Sequence, residues 1–230
     1  MEQMIGIVTV LMVALLAPSA QAVTASDTGL GIVYKLGVVQ DVSLERPTTN
    51  YNSLPYLLVS KHPQYPNKRS LVQFENLPSD CPSSKIQSAK MYLYYVYAHK
   101  ASWHPITMTP FIPRYMQLYL VKKSWNEAQA TSIKRFSSIN WSTLYLGLDG
   151  IDAEACPEPG IVTIFPFRPK NNFVEFDVTN AVKRWKDGLP NHGLLIRAKN
   201  ELEAGRGIRF ASNAMSDSSK HAFVLVLCRD

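Results

Sequence analysis

The sequence predicts a mainly β protein, an antiparallel β-sandwich or jelly roll carrying one short capping helix near 178–187. Three observations predict it. About ten short apolar runs recur along the chain, broken by Pro, Gly, Asn and Ser, as in a many-stranded antiparallel fold. The longest run, AKMYLYYVYA, alternates with the period of two that gives a strand its separate faces. Helical spacing is seen in one stretch, where Val178, Ala181, Val182 and Trp185 fall at i, i+3, i+4 and i+7.

Taken in order, the first 22 residues read as a signal peptide. An apolar core from Ile5 to Leu16 is followed by Pro18 and by Ala20-Gln21-Ala22, whose small residues suit signal peptidase. The n-region carries Glu2 and neither Lys nor Arg, and the apolar run falls short of the ~20 residues needed to span a bilayer. Cleavage after Ala22 and a secreted, extracellular product are expected, with residues 23–230 forming a single domain. Loss of Glu2 raises the formal net charge of +6 by one. Cationic pairs are spread along the chain (Lys68-Arg69, Lys122-Lys123, Lys134-Arg135, Lys183-Arg184), with no basic run of five or more. That pattern excludes a nucleic-acid arm; it suits general solubility or attraction to an anionic extracellular polymer.

Strands are predicted at Ile32 to Val39, Tyr56 to Ser60, Ser70 to Phe74, Ile86 to Ala98 and Tyr115 to Val121. Further strands are predicted at Ile161 to Phe167, Phe173 to Phe176, Leu194 to Ala198, Ile208 to Ala211 and Phe223 to Cys228. Residues Asn126 to Pro159 carry the weakest pattern and read as loops crossing a sandwich end. In the helix, Asp177 is placed to cap the first turn, since a carboxylate accepts from the exposed amides there. Lys183, Arg184 and Lys186 suit the negative end of the helix dipole, and Gly188 supplies the stop. Asp177, Trp185 and Gly188 therefore read as a structural clasp, with Trp185 plugging the sandwich end.

Alternation in the long strand puts Ala89, Met91, Leu93, Tyr95 and Tyr97 on one face, and Lys90, Tyr92, Tyr94, Val96 and Ala98 on the other. If the first face is core, Tyr92 and Tyr94 line the outer surface beside Lys90. A covering loop would make them ordinary packing residues. Left open, Lys90, Tyr92 and Tyr94, joined by Lys122, would suit a polysaccharide, because sugar C–H faces pack on rings and cations meet carboxylate or sulfate.

Three cysteines outside the cell leave one odd thiol. Cys81 and Cys156 both sit in Pro-flanked loops able to adjust to disulfide geometry, so this pair is expected. Cys228 would then be free or would link two molecules into a dimer. Three scattered cysteines do not make a zinc site, and neither metal nor cofactor is expected. Asn140-Trp141-Ser142 is a glycosylation sequon.

No GxSxG, HExxH, Walker or dinucleotide fingerprint occurs, and histidines 62, 99, 104, 192 and 221 are scattered. Carboxylates Asp41, Glu45, Glu127, Glu175 and Asp177 are available to a glycosidase, but Asp177 is the cap. The chain is read as no enzyme. Polysaccharide lyases, some of which use jelly rolls, are the enzyme class this fold admits.

Four blocks carry a family resemblance. VVQDVSLERPTTNYN contains Asp41 and the Asn50-Tyr51 turn; KRSLVQFENLP with KIQSAKMYLYY contains Phe74, Ala89 and Leu93. SWNEAQAT contains Trp125 and Glu127; FDVTNAVKRWKDGLPNHGLLI contains Asp177, Val178, Thr179, Trp185, Gly188, Asn191 and Gly193. Together they resemble the DNRLRE domain, a secreted β-sandwich family similar to carbohydrate-binding modules. A milder echo of the last block occurs in propeptides of TGF-β-like growth factors, whose cysteine framework does not follow here. The likeness runs from about Val38 to Leu227 and departs twice: ASNAMSD at 211–217 replaces the Arg-x-Glu ending, and DGIDAEACPEPG is inserted. The resemblance implies binding or scaffolding, since such domains are adhesive, architectural or glycan-binding parts of surface and matrix proteins. Some resemble modules for acidic polysaccharides such as alginate. The expected role is a structural or adhesive matrix protein, for example of a skeletal organic matrix, partnered by extracellular polysaccharide or matrix proteins. A glycan-binding module for anionic polysaccharide is the alternative.

Overall fold

A strand whose side chains alternate has one dry face, and two such sheets must stack to hide their dry faces. The computed structural model describes residues 23–27, 31–59, 67–98, 114–156, 161–164, 173–199, 201 and 208–229. The expected signal peptide, His62, His99, His104 and the end of the strand expected at Ile161 to Phe167 lie outside these residues. The elements are β1 (Thr24–Asp27), β2 (Ile32–Leu44), β3 (Tyr56–Val59), β4 (Arg69–Phe74), β5 (Ile86–Ala98), β6 (Arg114–Val121), β7 (Lys134–Phe136) and β8 (Ile139–Asn140). They continue with β9 (Ala153–Ala155), β10 (Ile161–Ile164), β11 (Phe173–Asp177), α1 (Thr179–Lys186), β12 (Leu194–Ala198), β13 (Ile208–Ala211) and β14 (Phe223–Cys228).

The chain is a mainly antiparallel β-sandwich with one short helix. The first sheet runs β1-β2-β14-β5-β11. The second runs β2-β4-β12-β6, with β9 and β10 both pairing β6. The far end of β5 pairs β13, which pairs β3. Strand β2 serves both sheets. Ile32 to Gly37 pair with β14, and Val38 to Leu44 pair with β4, after a register shift between Val38 and Gln40. The sequence pattern stops at Val39 because this bulge breaks the period of two; the strand itself runs five residues further, to Leu44.

The main core lies between the sheets. Leu36, Phe74, Met91, Leu93, Leu118 and Phe176 belong to it and are fully buried. Phe176 meets Phe210 edge to face with ring centroids 6.2 Å apart. The alternation seen in the sequence explains which residues point inward: Ala89, Met91, Leu93 and Tyr95 of β5 are all buried.

Two expectations need correction. The region Asn126 to Pro159, expected to cross a sandwich end, instead roofs the outer face of the second sheet through its described residues. Trp125, Ala130, Trp141, Leu146 and Ala153 form a second apolar cluster there with Val42, Leu71, Tyr119, Val121 and Leu195. Trp125 donates its indole N–H to His192 O at 2.9 Å, and Trp141 donates to Thr131 O at 3.0 Å, so both rings are buried without an orphan donor. The disulfide is Cys81–Cys228, not Cys81–Cys156. The turn carrying Cys81 leads into β5, whose neighbour β14 ends at Cys228, and this brings the two Cα atoms to 6.0 Å. Cys156 is the free cysteine. It follows β9 and is partly buried against the main core, and desolvation pushes its thiol up to about 12. An intermolecular bond through Cys228 is thereby excluded in this structure, and Cys156 is a poor thiolate source to replace it.

Candidate functional site

The stretch from 173 to 200 carries the densest chemistry in the sequence. Asp177, Thr179 and Asn191 have partners within the fold, whereas the buried Trp185 indole N–H has none among the described residues. The Asp177 Oδ1 accepts from the Thr179 N–H at 3.0 Å and from the Thr179 hydroxyl at 2.7 Å, while Oδ2 accepts from Lys90 Nζ at 2.9 Å. The N-cap residue itself is Val178, so Asp177 acts one residue earlier than expected, through a turn that feeds the helix. Burial alone would raise the Asp177 pKa. The bonds from Lys90 and Thr179 outweigh it and hold the carboxyl below its ordinary 3.8. Thr179 Oγ1 accepts from the Ala89 N–H at 2.9 Å, and Val178 N–H donates to Ala89 O at 2.9 Å, tying α1 to β5.

The far end of the helix is tied equally. Gly188 takes φ +104°, a left-handed stop open to glycine. Asn191 Nδ2 donates to Phe74 O at 3.0 Å, and Gln73 Nε2 donates to Asn191 O at 2.7 Å. At Gly193, φ is +81°, and an added Cβ would sit 2.2 Å from Val72 O. Only glycine lets the chain pass β4 that closely. Trp185 is half-buried against the core. It lines a cavity of about 190 Å³ with Leu36, Glu75, Leu77, Lys186 and Asn191 rather than sealing the end completely. The His192 ring is held below its usual pKa by partial burial and by Arg135, while its backbone carbonyl serves Trp125.

The outer face of the first sheet is different. Cross-strand register aligns Phe223, Tyr92 and Glu175 in one row, and Leu225, Lys90 and Asp177 in the next. Tyr92 stacks on Phe223 with centroids 5.0 Å apart and planes at 20°. Phe173 meets the edges of Phe223 at 5.2 Å and of Tyr94 at 5.2 Å. Tyr92, Phe173 and Phe223 are half-exposed, whereas Tyr94 is only 8% exposed. Lys35 Nζ lies over the Phe223 ring at 4.6 Å, and Lys220 Nζ over Tyr94 at 5.5 Å.

Of the residues singled out for glycan contact, Lys90, Tyr92 and Tyr94 share this face. Lys122 does not: it follows β6 in the second sheet and pairs with Glu154 at 3.4 Å. Lys90 is committed to Asp177 at 2.9 Å and Glu175 at 3.5 Å. The hydrogen bond that Lys90 donates to Asp177 raises its pKa, so it stays charged but is no free cation. Burial and the Glu175 charge raise the Tyr92 phenol, which donates to Glu175 Oε2 at 3.1 Å. Phe173 and Phe223 were missed in the sequence as surface rings. Their signal was present: each opens its strand in outward phase, but each reads locally as a core residue.

A separate carboxylate pair lies at the opposite side of β2. Asp41 is 1% exposed. Its Oδ2 accepts from the Asn213 N–H at 2.8 Å, and its buried Oδ1 has no partner. Desolvation pushes the Asp41 carboxyl up to about 8; the Asn213 amide works against this and the Glu127 charge adds to it. Glu127 is raised in turn by its own burial, partly offset by the Asn213 side chain and the Asp41 N–H. Among the described residues, no three His, Cys, Asp or Glu side chains gather as a metal cage, and no helix is long and apolar enough to cross a membrane. The chain matches no protein-family model and no curated protein.

Proposed function

We propose that this is a secreted, non-enzymatic β-sandwich protein with a structural or adhesive role in an extracellular organic matrix, and that it holds polysaccharide against the outer face of its first sheet. The supporting observation is the half-exposed ring cluster of Tyr92, Phe173 and Phe223. Such rings offer apolar faces to sugar C–H groups, and their position on a rigid sheet costs little ordering on binding. The resemblance to DNRLRE domains points the same way.

Charge on the face itself is balanced: Lys35, Lys90 and Lys220 stand beside Glu175, Asp177 and Asp217. Ring stacking therefore carries the contact, and the positive net charge, one above +6 once Glu2 is removed, supplies only longer-range attraction to an anionic polymer. Export would also expose Asn140, whose side chain is at the surface on β8, to glycosylation.

The test is retention of the secreted form on neutral, carboxylated and sulfated polysaccharides at low and high salt. Retention that survives about 0.5 M salt, where the Debye length is only a few ångström, supports stacking. It should be lost in a folded Tyr92→Ala/Phe223→Ala variant. Failure to bind any of the polymers, or equal binding by the variant, would remove this face from consideration.

A further inference from the structure

Burying one carboxylate oxygen without a partner is costly, and native folds seldom leave it so. Asp41 Oδ1 is such an atom. Asp41 sits in β2 beyond the bulge, with its other oxygen held by the Asn213 N–H at 2.8 Å. Glu127 is brought to it by a turn that is itself firmly anchored. Its N–H donates to Gln40 Oε1 at 3.1 Å, and its carbonyl accepts from Asn50 Nδ2 at 2.7 Å. Asn50 also reaches Ala130 O at 2.7 Å, and Gln40 Nε2 reaches Trp125 O at 3.2 Å. The Asn213 side chain and the Asp41 N–H both act on the Glu127 carboxylate. Four separate segments, at 40–41, 50, 125–130 and 213, thus converge on two carboxylates. The groups that act on Asp41 are Asn213 and Glu127, and those that act on Glu127 are Asn213 and Asp41, with no cation among them in a chain with 24 Lys and Arg.

We propose that Asp41 and Glu127 hold a calcium-type divalent cation, with the Asn213 side-chain amide oxygen, backbone carbonyls and water completing an all-oxygen shell. The cation takes the place of the missing donor at Asp41 Oδ1 and joins the turn at 125–130 and the turn at 213 to β2. Hard oxygen donors without His or thiolate select calcium or magnesium over zinc or copper. Two carboxylates with amide and carbonyl oxygens suit calcium, which accepts six to eight ligands in flexible geometry. Magnesium keeps most of its water and seldom enters a protein-built shell. Asn213 needs only an amide rotation to present oxygen rather than nitrogen.

The test uses the whole secreted chain stripped with chelator, then titrated with calcium chloride alone in a calorimeter and melted with and without it. Binding at a hundredfold excess over the dissociation constant should raise the melting temperature by about 5 to 10 °C, with magnesium giving less. Terbium in place of calcium should luminesce on excitation of Trp125, whose backbone carbonyl is one link from the site. Glu127→Gln should abolish both signals. If that variant does not fold, Asp41→Asn, which removes the buried charge without changing shape, must abolish them instead. A silent titration with identical melts, or a calcium shift retained in the variants, overturns the assignment.

Discussion

The outer face of the second sheet is roofed by the chain's own residues 125–153, with Trp125 and Trp141 each 4% exposed, whereas the outer face of the first sheet stays half open around Tyr92, Phe173 and Phe223. Both sheets share the main core and the strand β2, so they do not differ in inner packing. They differ in what holds the side away from the core. The second sheet gains an added apolar cluster. The first has the Cys81–Cys228 bond at one end and the α1 clasp along β5. A sheet whose outer face is left partly open gains little from packing there, so its stabilising links sit at the margins.

This contrast can be broken at either end. The largest effect should come from the covalent link. Its two cysteines are 147 residues apart, and the chain-entropy argument assigns a loop of that size about 4 to 5 kcal/mol. Reduction, or Cys228→Ser, should lower the chemical denaturation midpoint accordingly, while intact protein titrates one thiol per molecule and runs as a monomer without reductant. Next, Trp141→Ala should cost about 3 to 4 kcal/mol in the same measurement by emptying the roof. An effect under about 1 kcal/mol would mean that the roof is a passive loop.

Smaller effects sharpen the first sheet. Asp177→Asn should cost about 1 kcal/mol near neutral pH by weakening the turn that feeds α1. The folded pKa of Asp177 is lowered, so its contribution is present above the ordinary value of 3.8 and is lost as pH falls below it through the folded value. The gap between parent and variant should therefore be full at pH 6 and close in acid. A gap that widens in acid would refute the ion pair with Lys90. Smallest of all, Tyr92→Ala should change stability by about 1 kcal/mol or less, because the ring is half-exposed, yet remove polymer retention.

The sandwich was legible where alternation is unbroken. Leu194–Ala198, Ile208–Ala211 and Phe223–Cys228 begin and end with their sequence pattern. The short β7, β8 and β9 have two or three residues each, too few for any period to register. The roof was illegible for a related reason: Trp125, Ala130, Trp141 and Leu146 approach the sheet from loops, at spacings that follow no regular element. At the surface, period two placed Lys90 and Tyr92 together. It was silent on Glu175 and Asp177, which meet them through register with a strand more than 80 residues further on. The cysteine pairing failed because flanking prolines describe mobility, while the bond depends on which strand lies beside which. Asp41 and Glu127 stood out as family-like residues, but nothing local says that one of them loses a donor on burial.

The strand order has a kinetic consequence. In the first sheet β14 lies between β2 and β5, and in the second β12 lies between β4 and β6. The central slot of each sheet is thus filled by a strand that leaves the ribosome long after its two neighbours. Until then β2, β4, β5 and β6 have no native partner on those sides, and their bare edges are templates for wrong pairing. Completion has to follow synthesis, at the millisecond-to-second pace of distant strand pairing. In such a protein the interval between emergence and closure, more than the finished fold, is the period in which a chaperone matters.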